Sequence, residues 1–124
     1  MTKILVIDDS MTEREHLKQI LEAMSLQVQV ATDGLEALEQ LKTESPDMIF
    51  LDIVMPRMNG YEVCRKIKAN PRMQKVPVII CSAKSEEFDR YWGMKQGADA
   101  YITKPYRPKE LLQTVKNLIG EDLI

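Results

Sequence analysis

Asp47-Met48-Ile49-Phe50-Leu51-Asp52-Ile53-Val54-Met55-Pro56 is the stretch whose reading decides the fold. Met48 to Leu51 run apolar without a break and end on one carboxylate. So short an unbroken run reads as a strand buried on both faces, the kind found inside a parallel sheet. Pro56 has no N–H to give to a ladder, so the strand must stop before it. Asp52 then stands at the carboxyl end of a central strand, where open α/β sheets place their ligands. A carboxylate there is a candidate nucleophile, base or metal ligand.

Towards the amino terminus, Ile4-Leu5-Val6-Ile7 is a second such run, and it ends in Asp8 and Asp9. Ser10 with Glu13 gives the capping-box pattern of a helix start. Leu17, Ile20, Leu21 and Met24 then recur at helical spacing, predicting a helix over 11–24. Gln27-Val28-Gln29-Val30 alternates polar with apolar, as a strand at a sheet edge should. Asp33-Gly34 reads as a turn, and Leu35, Leu38 and Leu41 mark a second helix ending near Pro46.

Towards the carboxyl terminus, Pro56-Arg57-Met58-Asn59-Gly60 is a loop with strong turn chemistry. Tyr61, Cys64 and Ile67 carry a third helix, closed around Asn70-Pro71. Val76 to Cys81 is a fourth strand, with Pro77 near its start and Ser82 at its end. A fourth helix over 86–96 stops at Gly97. Ala98 to Thr103 is the fifth strand and runs into Lys104-Pro105. Pro108 opens the last helix, whose buried face is Leu111, Leu112, Val115 and Leu118. Strand and helix alternating five times predict an α/β fold, a doubly wound five-stranded parallel sheet of flavodoxin-like type. An edge position for the second strand selects the order 2-1-3-4-5.

Composition narrows the function classes. The 124 residues make one domain, 1–124, large enough for a core without disulfides. Seventeen basic against 19 acidic residues leave a net charge of −2, so no polybasic footprint points to nucleic acid or a membrane surface. Cys64 and Cys81 lack C-x-x-C spacing and sit in apolar segments, which reads as core thiols of a reduced, cytoplasmic chain. The apolar run after Lys3 is four residues long, too short for a signal peptide or a membrane span. No output segment follows Ile124, so DNA binding by this chain is not expected.

In a parallel sheet all strand ends face one side, so Asp8, Asp9, Asp52, Ser82 and Lys104 should meet in one crevice. Three carboxylates there repel one another unless a cation joins them. Hard oxygen ligands suit Mg²⁺, which keeps waters or takes phosphate oxygens. With Lys104 as a mobile positive charge and Ser82 as a hydroxyl, the set fits an aspartyl phosphate formed on Asp52.

The residues Ile4 to Asp9, Leu51 to Pro56 with Asn59-Gly60, Ser82-Ala83, and Gly97 to Pro105 together resemble response-regulator receiver domains of CheY-like type. The resemblance covers essentially the whole chain. It implies Asp52 as phosphoacceptor, Asp8 and Asp9 as the acidic pair for Mg²⁺, and the Val54 carbonyl as a further metal ligand. It also implies Ser82 as switch hydroxyl, Tyr101 as a switch aromatic whose ring turns inward, Lys104 as the phosphate-contacting lysine, and a cis Lys104–Pro105 bond. The implied partners are a histidine kinase as phosphodonor and an effector protein bound on the helix 4–strand 5–helix 5 face. Arg90, Trp92, Lys95 and Tyr106 are the candidate contacts there, with core burial as the other reading of Trp92. His16 is expected on the helix surface, and Gly93 is expected to let its helix approach the sheet.

Two departures from the family pattern bear on the phosphoryl lifetime: Val54, where many relatives carry a polar side chain, and Lys84. Trp92-Gly93-Met94-Lys95-Gln96-Gly97 is similar to single-domain regulators of type IV pilus and chemotaxis-like motility systems. Three other readings compete. A phosphate sink would drain a kinase without an effector. An aspartate-dependent phosphatase needs a second Asp where Val54 stands. A flavin binder needs hydroxyl- and amide-rich phosphate contacts where Asp8-Asp9 would repel.

Overall fold

The computed structural model describes residues 2–120 as strands β1 (Lys3–Ile7), β2 (Gln27–Ala31), β3 (Met48–Asp52), β4 (Val78–Ser82) and β5 (Ala100–Thr103). Between and after them run helices α1 (Met11–Ala23), α2 (Gly34–Gln40), α3 (Gly60–Ala69), α4 (Glu87–Lys95) and α5 (Pro108–Ile119). All strand pairs are parallel, in the order β2-β1-β3-β4-β5. The fold is therefore the doubly wound sheet that the alternation of elements predicts. Every residue of β3 and β4 is buried, whereas β2 alternates at the edge. The expected lack of an output segment after Ile124 concerns a position outside the described residues.

Side chains alternate across the sheet and build two cores. One face carries Leu5, Ile7, Ile49, Leu51, Val78 and Ile80 against Ala37 of α2 and Val63, Cys64 and Ile67 of α3. The other carries Ile4, Val6, Met48, Phe50, Ile79 and Ile102 against Leu17 and Leu21 of α1 and Leu111 and Val115 of α5. Cys64 and Cys81 are buried and free, on opposite faces of the sheet. Gly93 brings α4 onto the sheet: a Cβ there would lie 3.0 Å from the Tyr101 ring and 3.1 Å from Ile80 Cδ1.

Several elements start or end differently from the sequence expectation. Asp33-Gly34 does not turn the chain. Asp33 is the N-cap of α2, its carboxylate accepting the Glu36 N–H at 2.8 Å, and Gly34 is the first helical residue. That bond, assisted by Arg57, holds the Asp33 carboxyl below the usual carboxylate range. Leu35 faces solvent instead of the core. β4 begins at Val78 because Pro77 has no N–H to donate, though its carbonyl still accepts from Ile49. β5 begins at Ala100, after the Asp99 carboxylate takes the Val78 N–H at 2.8 Å. On α5 Leu111 and Val115 are buried, and Leu112 and Leu118 are half-buried beside them.

Candidate functional site

The register carries the candidate residues to one edge of the sheet. Ile7 pairs with Leu51, Asp52 with Cys81 and Ser82 with Thr103, so Asp8, Asp52, Ser82 and Lys104 follow one another across the strand ends. The Lys104 N–H donates to the Ser82 carbonyl at 2.8 Å, which fixes the start of the β5–α5 loop. The Lys104–Pro105 peptide is cis. Gly60 seats α3 against the end of β3. Its N–H donates to the Ile53 carbonyl at 2.8 Å.

Asp8, Asp9 and Asp52 each offer an oxygen atom within 4.8 Å of the others, with Asp8 and Asp52 buried and Asp9 exposed. Lys104 Nζ lies 2.9 Å from Asp8 Oδ2 and 3.5 Å from Asp52 Oδ1, with only 8% of its side chain exposed. The second Asp8 oxygen accepts the Ser10 N–H at 2.9 Å. Arg14 donates to the Asp8 carbonyl at 3.0 Å, so the end of β1 is held from both sides. Burial pushes the Asp52 carboxyl up to about 6. The Lys104 ammonium opposes that rise and the Asp8 charge adds to it. Burial works against the Lys104 ammonium as well, but hydrogen bonds to Glu13 and Asp8 hold its pKa above the usual lysine range. A hard, divalent cation fits a donor set of three carboxylates this close.

Ser82 is buried, and its hydroxyl accepts the Lys84 N–H at 3.1 Å. The Tyr101 ring is already inside, whereas the family resemblance implies a ring that turns inward on activation. Its hydroxyl donates to the Lys84 carbonyl at 2.7 Å, and burial pushes the phenol up to about 12. The ring and Ser82 thus hold the same β4–α4 loop. Val54 turns its side chain to solvent.

The four candidate surface residues do not share one face. Arg90 reaches β5, donating to the Tyr101 carbonyl at 3.3 Å and to Thr103 Oγ1 at 2.8 Å. Trp92 is 40% exposed, so it is a surface residue; it stacks on Phe88 and meets Tyr61 of α3 edge-on. Lys95 is exposed, its ammonium over the Tyr91 ring. Tyr106 must be withdrawn from that surface: it is only 9% exposed, packed into the α1–α5 core beside the exposed His16. α4 instead presents Phe88, Tyr91 and Met94 to solvent along with Trp92.

One residue of the site escapes the sequence reading. The pattern places Glu13 in a capping box, and the Ser10 hydroxyl does accept the Glu13 N–H at 3.3 Å. The reciprocal bond is absent: the Ser10 N–H goes to Asp8, and the Glu13 carboxylate takes a hydrogen bond from Lys104 Nζ. No local pattern could reveal a partner 91 residues away.

A model of the response regulator receiver domain matches residues 4–116. Protein PilH of Pseudomonas aeruginosa is 38% identical over 97% of this chain and 99% of its own length. The alkaline phosphatase synthesis transcriptional regulatory protein PhoP of Bacillus subtilis is 41% identical over 94% of this chain, which spans about half (48%) of that relative's length. Among solved structures, the receiver domain of sensor histidine kinase PA1611 from Pseudomonas aeruginosa, with a magnesium ion coordinated in its active site cleft, superimposes with a TM-score of 0.89. It is 26% identical, over 97% of this chain and 98% of that one. No helix among the described residues is long and apolar enough to cross a membrane.

Proposed function

The chain belongs to the family of response regulator receiver domains, and on that premise we propose that Asp52 accepts a phosphoryl group from a histidine kinase and that the phosphorylated chain binds an effector protein. The observation that carries this reading is the meeting of Asp52 with Asp8, Asp9 and Lys104 at the strand ends. An Asp52 oxygen attacks phosphorus, the bond from phosphorus to the donor imidazole nitrogen breaks, and its electron pair leaves with the imidazole. Mg²⁺ on Asp8, Asp9, Asp52 and the Val54 carbonyl would supply charge neutralisation at the phosphoryl oxygens. Lys104 leaves its carboxylate partners to bind a phosphoryl oxygen, and the Ser82 hydroxyl donates to another. Because Ser82 and Tyr101 both hold the β4–α4 loop at Lys84, movement of Ser82 is passed to α4. The similarity to PilH and the Trp92-to-Gly97 stretch support a place in motility signalling.

The test uses acetyl phosphate. The chain should be labelled in Mg²⁺, lose the label in hydroxylamine, and fail to label after chelation or as Asp52→Asn. A hydroxylamine-stable label, or labelling indifferent to the chelator, would reject an acyl phosphate at this residue.

The effector contact is assigned to the helix 4–strand 5–helix 5 face extended around the exposed side of α4 to its α3 flank, where Phe88 and Trp92 are the aromatic anchors. The double change Phe88→Ala, Trp92→Ala should weaken binding of an effector recovered with the phosphorylated chain by about tenfold or more. Labelling of Asp52 should stay at the wild-type rate. Unchanged effector affinity in a folded double variant would place the contact elsewhere.

A further inference from the structure

At the strand ends the Lys104 ammonium meets the carboxylates of Asp8, Asp52 and Glu13, with Asp9 beside them. Lys104 Nζ touches Asp8 at 2.9 Å, lies 3.5 Å from Asp52, and donates to Glu13 as well. Asp8 and Asp52 belong to the group of oxygens that could surround a metal; Glu13 does not. An ammonium on the Asp8 and Asp52 oxygens excludes a divalent cation from them, since like charges a few ångströms apart repel strongly in a poorly solvated crevice. A cation can enter only if the ammonium has somewhere else to go.

Glu13 provides that place. Its backbone is fixed on the first turn of α1 through the Ser10 cap, while its side chain is 46% exposed and released from capping, because the Ser10 N–H is taken by Asp8. We infer that Glu13 is a positioning residue that draws the Lys104 ammonium off the Asp8 and Asp52 carboxylates, so that a divalent cation takes them while the lysine waits within reach of the phosphoryl group. This rests on the phosphoacceptor reading of Asp52. It assigns the residue that resolves the competition between lysine and metal in the unphosphorylated chain.

Mg²⁺ affinity of the unphosphorylated full chain, read by titration calorimetry without any phosphodonor, tests it. Glu13→Gln should weaken Mg²⁺ binding about three- to tenfold, within the lower part of the range of couplings inside one charge network. Lys104→Met should tighten binding, because the competing ammonium is gone; Lys104→Gln serves if the methionine variant does not fold. In either lysine variant, adding Glu13→Gln should change the affinity by less than about twofold, since distant or unlinked changes add and linked ones do not. Unchanged affinity in Glu13→Gln alone would overturn the inference. So would equal weakening with and without Lys104, which would mean that Glu13 acts on the cation by its own charge. A chain that binds Mg²⁺ with this pattern but never labels on Asp52 refutes the phosphoacceptor reading and leaves the Glu13–Lys104 competition standing. A wild-type chain that binds no Mg²⁺ refutes both.

Discussion

Gly60→Ala should lower the melting temperature by about 10 °C or more and disorder the site with it. α3 begins at Gly60 so close to the end of β3 that a Cβ there would overlap the Asp52 carbonyl oxygen and come within 2.8 Å of the Ile53 Cα and 2.9 Å of the Asp52 carbonyl carbon. These are backbone atoms of a strand end, not the tip of a side chain that could swing away. Relief requires α3 to lift, which breaks the Gly60-to-Ile53 hydrogen bond and unseats Val63, Cys64 and Ile67 from their core. Overpacking a well-packed core costs about 1–3 kcal/mol and occasionally more. A rigid backbone clash belongs at the upper end, and about 3 kcal/mol in a domain of this size moves the melting temperature by about 10 °C. Differential scanning calorimetry checks the stability, and acetyl phosphate labelling of the folded fraction checks the site. A variant that melts like wild type would mean that the β3–α3 junction yields cheaply.

That junction is visible in the sequence only as turn chemistry. Asn59-Gly60 is a strong turn signal, yet here Asn59 caps α3 with its side-chain oxygen on the Glu62 N–H, and Gly60 is helical. Asp33-Gly34 misleads in the same way. An Asx residue before glycine satisfies a helix N-terminus as well as a turn, and which one forms depends on what packs behind. Behind Gly34 that is Val63, whose methyl a Cβ would overlap. Patterns that depend on period are legible for the opposite reason. β3 and β4 are buried throughout and β2 alternates, so burial alone writes each strand's place in the sheet into its sequence.

The site divides along similar lines. Asp8, Asp9, Asp52, Ser82 and Lys104 are legible because each ends a strand, and parallel strands bring their ends together whatever the side chains do. Glu13 and Tyr106 are not legible, because their places depend on distant partners. The Glu13 carboxylate is released from its cap by Asp8 and captured by Lys104. Tyr106 sits two residues past Lys104 in a loop that folds back, so a ring expected at the surface fills the core beside Cys81 and Leu111.

Asp52→Asn should stabilise the metal-free chain at pH 7, in the same variant that abolishes labelling. Burial lifts the Asp52 carboxyl from 3.8 to about 6, because the charged form loses water that Lys104 only partly replaces. A carboxyl whose folded pKa lies above its unfolded one binds more protons folded than unfolded between those values. Stability therefore falls as pH rises from about 4 to 6, and the penalty is fully present above 6. The direction is opposite to that of a salt-bridged carboxylate, whose contribution is lost as pH falls. A shift of this size corresponds to about 3 kcal/mol at most, and water at the mouth of the crevice reduces it to about 1–2 kcal/mol. Asparagine mimics the protonated carboxyl, so its advantage should be largest above pH 6, shrink through the window and vanish below about pH 4. Thermal melts of both proteins in chelator, from pH 3.5 to 7.5, measure it. Adding Mg²⁺ should then favour the wild-type chain more than the variant, since a cation bound to the folded state recovers what the buried charge costs. If the variant has no advantage in chelator at pH 7, or an advantage that grows as pH falls, burial does not control the ionisation of Asp52.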